Sequence, residues 1–129
     1  MNLSDIHFHL VDDNDIDTSV NMKLLQLANI SSHVSTYSSA VKFLSTFNEN
    51  PSIFTQGPNI VLLDIMMPVM DGYTFRTKQL ENPEWAKIPT IVMSAEANAK
   101  EKMKDYKITA FLSKPVELDT ILNAVAKYS

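Results

Sequence analysis

The sequence contains no cysteine, which excludes disulfide scaffolds, Cys-ligated zinc and thiol catalysis. Two glycines and six prolines leave no room for a long flexible linker. Long hydrophobic runs are also missing. The longest, Ile60 to Met70, is interrupted by Asp64 and Pro68 and is too short to cross a bilayer. Met1 to Asp5 carries neither a basic segment nor an apolar one, so it does not read as a signal peptide, and the cytoplasm is the default expectation. Positive charge is in deficit: 11 basic residues against 15 acidic ones give a net charge of −4. Direct binding to nucleic acid or to a membrane is therefore not expected. The remaining composition, 45% apolar and 20% charged, is that of an ordinary globular protein. A chain of this length buries about two thirds of the surface exposed when unfolded. The expectation is one domain over residues 1–129.

Apolar runs and helical patterns alternate along the chain. Ile6 to Val11 is a short run ending at Asp12 and Asp13, and Ile16, Val20, Leu24 and Leu27 then recur at helical spacing. Val34 to Tyr37 reads as a strand, followed by Ser38 and Ser39 as caps for a helix through Val41, Phe43, Leu44 and Phe47. Asn48 to Asn59 reads as a loop. Ile60 to Leu63, apolar on both faces, stops at Asp64, which predicts a strand in a sheet covered on both sides. Asp71-Gly72 is a turn before a helix over Tyr73 to Glu81. Ile88 to Met93 and Ile108 to Leu112 are further strands. Ala97 to Lys107 and Val116 to Lys127 are further helices. Five β-α units with two-sided strands predict a doubly wound parallel sheet with helices on both faces.

Such sheets bind ligands at the carboxyl ends of their strands. Asp12 and Asp13 end the first strand, Asp64 the third, Ser94 the fourth, and Lys114 follows the fifth. Crowded carboxylates repel one another unless a cation joins them. A hard divalent ion such as magnesium takes one or two carboxylates and accepts phosphate oxygens. A cation, a lysine and a hydroxyl around one carboxylate suit phosphoryl transfer, in which the carboxylate can be the nucleophile.

The motifs Val11-Asp12-Asp13-Asn14, Leu63-Asp64-Ile65-Met66-Met67-Pro68-Val69-Met70-Asp71-Gly72, Met93-Ser94-Ala95 and Phe111-Leu112-Ser113-Lys114-Pro115 occur in order at these strand ends. Together they resemble the receiver domain of two-component response regulators, over the chain from Ile6 to Tyr128. The resemblance implies a flavodoxin-like strand order of 2-1-3-4-5. It implies that Asp64 is the phosphoacceptor, and that Mg2+, with Mn2+ as a substitute, is held by Asp12, Asp13, Asp64 and the backbone carbonyl of Met66. Lys114 and Ser94 would contact the phosphoryl group. Phe111 would move with Ser94 as the switch aromatic, and the Lys114-Pro115 peptide would be cis.

The implied function is a phosphoacceptor switch in a two-component system or phosphorelay. A histidine kinase or histidine phosphotransfer protein would be the donor, and the surface of the fourth helix, fifth strand and fifth helix would be the output, acting on a downstream protein. The chain would not be an enzyme, although it would assist its own phosphorylation and dephosphorylation. The alternative is a degenerate receiver that binds partners without phosphorylation. Thr109-Ala110 replaces an acidic pair common in the family, so a monomer or weak phosphorylation-dependent dimer is expected. Lys107 stands where the family often has glycine, Ser38-Ser39-Ala40 replaces the family's usual Asn-Gly opening of the second helix, and the loop from Asn48 to Asn59 is longer than usual.

Other residues have plainer readings. Met66, Met67 and Met70 suit core filling better than a soft metal. His7 and His9 share a strand face. The spacing occurs in zinc hydrolases built on barrels of about 250 residues, far longer than this chain. His9 is expected to be a neutral, hydrogen-bonded core residue. Lys100, Lys102, Lys104 and Lys107 give one helix a basic face, either solvated or facing an acidic partner.

Overall fold

The strand β3 (Asn59–Asp64) is buried at every position, so both of its faces need cover. That cover comes from helices, and the neighbouring strands run parallel to it. The structure, a computed structural model, describes residues 6–27, 33–50, 52, 58–67, 70–96, 98–114 and 116–128. In chain order the other elements are β1 (His7–Val11), α1 (Asp15–Leu27), β2 (Val34–Tyr37), α2 (Ala40–Glu49), α3 (Gly72–Glu81), α4 (Pro83–Ala86), β4 (Thr90–Ser94), α5 (Ala99–Lys102), β5 (Ala110–Ser113) and α6 (Leu118–Tyr128). The strand order is β2-β1-β3-β4-β5, all parallel.

The period-two alternation of strand side chains divides the core in two. Val61 and Leu63 join Val11, Val92, Phe43, Phe75 and Met103 on one face, beneath α2, α3 and α5. Ile60 and Leu62 join Phe8, Leu10, Ile91, Met93, Leu25, Ile121 and Val125 on the other, beneath α1 and α6. Each fully buried Leu, Ile or Phe stabilises the fold by about 1.5–3 kcal/mol relative to exposure.

The helices begin where the sequence has caps. The Ser39 side chain accepts from Lys42 N at 3.1 Å and starts α2. Asp71 accepts from Thr74 N at 2.8 Å and starts α3. Asn82 accepts from Glu84 N and Trp85 N, which gives the extra turn α4 with Pro83 at its start. This puts Trp85 just before β4, at the end of the sheet away from Asp64.

One expectation is corrected. The helix expected over Ala97 to Lys107 is short: α5 gives way to a tighter 3-10 turn at Met103–Tyr106. Asn98 offers α5 no side-chain cap, and Lys107 ends the segment in the left-handed region at φ 53°. The left-handed turn is thus made without a glycine. On α1 the helix is as expected, but of the four residues at helical spacing only Leu24 packs on the core. Ile16 and Leu27 are 75% and 76% exposed, while Asn21 and Leu25 face the core. The peptide at Pro115 and most of the 51–57 loop lie outside the described residues.

Candidate phosphoryl-transfer site

The site is built from strand ends. β1 and β3 pair in register through Val11 and Leu63, so Asp12 and Asp64 emerge side by side. The Asp12 carboxylate accepts from Asn14 N at 2.9 Å, which tightens the turn into α1. Asp12 and Asp64 are buried and Asp13 is exposed. One carboxylate oxygen from each of the three lies within 4.8 Å of the others. Three oxygen donors of this kind, one open to solvent, fit a hard divalent cation with its remaining positions on water or phosphate.

The electrostatics agree with that fit. Burial pushes the Asp64 carboxyl up to about 6, and the charge of Asp12 adds to the shift. Lys114 and a hydrogen bond from the Met66 backbone act in the opposite direction. A bound cation would relieve the repulsion that raises Asp64.

Lys114 Nζ lies 3.3 Å from Asp64, 3.4 Å from Asp12 and 2.8 Å from Asp17. Burial alone would lower its pKa, but the Asp17 bond and the charges of Asp64 and Asp12 outweigh this and raise it. Its backbone N donates to Ser94 O at 2.9 Å, so β4 sets where Lys114 leaves β5. Ser94 is buried, and its hydroxyl accepts from Glu96 N at 3.0 Å. Accepting leaves the hydroxyl proton available for a further acceptor.

The turn after β3 depends on a glycine. Gly72 N donates to Ile65 O at 2.9 Å. A Cβ at Gly72 would stand 2.8 Å from Ile65 Cα and 3.1 Å from Asp64 O. Close backbone approach at this point holds the residue after Asp64 against the start of α3. Met66 is exposed on this turn, so the core-filling reading holds for Met67 and Met70 but not for Met66.

Phe111 is half-buried and packs on the core beneath α3 and α5. With Met103, Lys104 and Ile108 it lines a groove on the outer face of β5. It stands outside the group formed by Asp12, Asp13 and Asp64. His9 is fully buried, with its ring nitrogens 2.8 Å from Asn59 Oδ1 and 3.1 Å from the Tyr37 hydroxyl. The expected hydrogen-bonded core histidine is what is found.

Two groups were not anticipated from the sequence. Asp17 reads there as one of several acids at a helix start, yet it is the nearest partner of Lys114. Its position four residues after Asp13, one helical turn on, is the available signal. Arg76 lies in mid-helix and reads as a solvated side chain, but is 2% exposed. Its guanidinium donates to Gln79 Oε1, Thr90 Oγ1 and the carbonyls of Tyr106 and Lys107. No sequence pattern marks it.

Residues 8–126 match the family described as response regulator receiver domain. The sensor histidine kinase RcsC of Escherichia coli is 34% identical over 119 residues, which are 88% of this chain and 12% of that protein. The response regulator Rre1 of Synechocystis is 35% identical over 66 residues, covering 50% of this chain and 29% of the relative. The chain thus spans under a third of these relatives. The solved bacteriophytochrome response regulator RtBRR superposes with a TM-score of 0.81 at 20% identity, covering 93% of this chain and 75% of that one, a likeness of fold. Among the described residues no helix is long and apolar enough to cross a membrane.

Proposed function

The chain belongs to the response regulator receiver family, and on that footing we propose that it is a phosphoacceptor switch whose acceptor is Asp64. The carrying observation is the convergence of Asp12, Asp13 and Asp64 within 4.8 Å, with Lys114 Nζ 3.3 Å from the acceptor. The donor is a phosphohistidine on a histidine kinase or histidine phosphotransfer protein.

A carboxylate oxygen of Asp64 attacks the phosphorus. The bond from phosphorus to the histidine nitrogen breaks, its electrons return to the imidazole, and Asp64 holds an acyl phosphate. Asp12, Asp13, Asp64 and the Met66 carbonyl would hold Mg2+ or Mn2+, which would supply charge neutralisation for the transferring oxygens. Lys114 places a fixed positive charge beside them. Ser94 shifts its hydroxyl toward a phosphoryl oxygen and donates its proton there, which draws the oxygen away from Glu96 N and alters the loop into α5. Phe111 then repacks, and the outer face of α5, β5 and α6 changes for a downstream protein. The same groups assist later hydrolysis, so the domain acts as a timed signal and not as a turnover enzyme. The domain works as a monomer or as a weak dimer that forms on phosphorylation.

Incubation with acetyl phosphate and magnesium should add one acid-labile phosphoryl group to the wild type and none to Asp64→Asn. Equal labelling of the variant would remove Asp64 from this role. Omitting the metal should suppress labelling of the wild type.

A further inference from the structure

We infer that Asp17 is a positioning residue that shares Lys114 with the acceptor at rest and competes with an arriving phosphoryl group for it, an inference that rests on the phosphoacceptor reading. Lys114 faces three carboxylates, and the nearest is not the acceptor. Asp17 Oδ2 is at 2.8 Å, against 3.3 Å for Asp64 and 3.4 Å for Asp12. Charge-assisted bonds of about 2.8 Å are the strong ones, and attraction weakens toward 3.4 Å. The ammonium is therefore committed first to Asp17.

Both partners are fixed in place. Asn14 Oδ1 accepts from Ile16 N at 2.9 Å and from Asp17 N at 3.0 Å, which sets the first turn of α1. On the other side, the backbone bond to Ser94 O sets the origin of Lys114. Val20, Asn21 and Val116 line the groove beside the pair, between α1 and the segment before α6. The Lys114 side chain is 18% exposed and that of Asp17 37%.

A phosphoryl group brings close to two negative charges to Asp64. That charge competes with Asp17 for one ammonium. The resting pair therefore taxes the phosphorylated state, and its removal should favour that state. Asp17 sets how readily the lysine clamp closes, through Lys114 and not by contact with the phosphoryl group.

The test is the affinity for beryllofluoride in the presence of magnesium, measured on the wild type and three variants. Asp17→Asn should bind about two- to five-fold tighter, the range of a partly exposed ion pair. Asp17→Glu keeps a carboxylate and should stay close to the wild type. Asp15→Asn removes the same charge from the same helical turn without touching Lys114, and should also stay close. Unchanged or weaker binding by Asp17→Asn overturns the inference, as does equal tightening by Asp15→Asn. If the wild type itself fails to bind beryllofluoride, the phosphoacceptor reading falls and the inference with it. Wild-type binding with no effect at Asp17 sinks the inference alone.

Discussion

The Arg76 guanidinium donates to the Lys107 carbonyl at 2.7 Å, tying a buried cation on α3 to the left-handed turn that leads into β5. Burial lowers the Arg76 pKa, and no carboxylate lies among its described bonding partners. Oxygen acceptors in fixed places carry the charge. A planar fork can reach them all, and an ammonium cannot. The same bonds brace Lys107 in a conformation that costs a non-glycine residue about 1–2 kcal/mol.

Arg76→Met should therefore destabilise the protein by about 2–4 kcal/mol, because it leaves Gln79, Thr90 and two carbonyls short of donors. Arg76→Lys should recover only part of this. Urea unfolding measures both. A loss below about 0.5 kcal/mol for Met, the scale of a plain surface change, would show that the network is not stabilising.

Gly72→Ala should damage the turn after Asp64 directly. The added Cβ would meet Ile65 Cα at 2.8 Å and Asp64 O at 3.1 Å, both backbone atoms that cannot rotate away. A loss of about 1–3 kcal/mol is expected, as for overpacking in a core. Labelling at Asp64 should slow with it. A variant as stable and as readily labelled as the wild type would contradict this account of the turn.

Two buried groups make opposite demands on pH. Burial is the main cause holding His9 down to about 4 from 6.5, with the charge of His7 adding and the bond to Asn59 opposing. A depressed folded pKa means stability present above 6.5 and lost as the pH falls toward 4. Asp64 is raised from 3.8 to about 6, so its stability is present below 3.8 and lost as the pH rises through 6. Between pH 6 and 4 the two offset each other in the metal-free wild type. Asp64→Asn removes one side of the balance. Its melting temperature should fall more steeply on acidification over that range than that of the wild type. Parallel curves would mean that Asp64 is not perturbed in the folded state.

Much of this was legible because strand ends are where apolar runs stop. Ile60 to Leu63 is apolar on both faces, so its central place and the exit of Asp64 follow from the pattern alone. The same reasoning located Asp12, Asp13, Ser94 and Lys114. The strand order does not follow from any run and came through family resemblance. Charged side chains were the weak point, because a charge in a helix is solvated by default. Arg76 breaks that default through partners distant in sequence, such as Lys107. Asp17 is hidden among neighbouring acids. On α1 the apolar spacing indicated the helix correctly, but its phase set Ile16 and Leu27 outward, which only packing decides.

The central claim is that the phosphoryl group resides on Asp64, and the most direct measurement locates it chemically. The wild type is phosphorylated with acetyl phosphate and magnesium, reduced with borohydride, digested and sequenced by mass spectrometry. An aspartyl phosphate is reduced to homoserine, whereas a free carboxylate is not. The account predicts homoserine at position 64 and aspartate retained at positions 12, 13 and 17. Homoserine at any of those three, or at none of the four in a preparation that carries acid-labile phosphate, would contradict it.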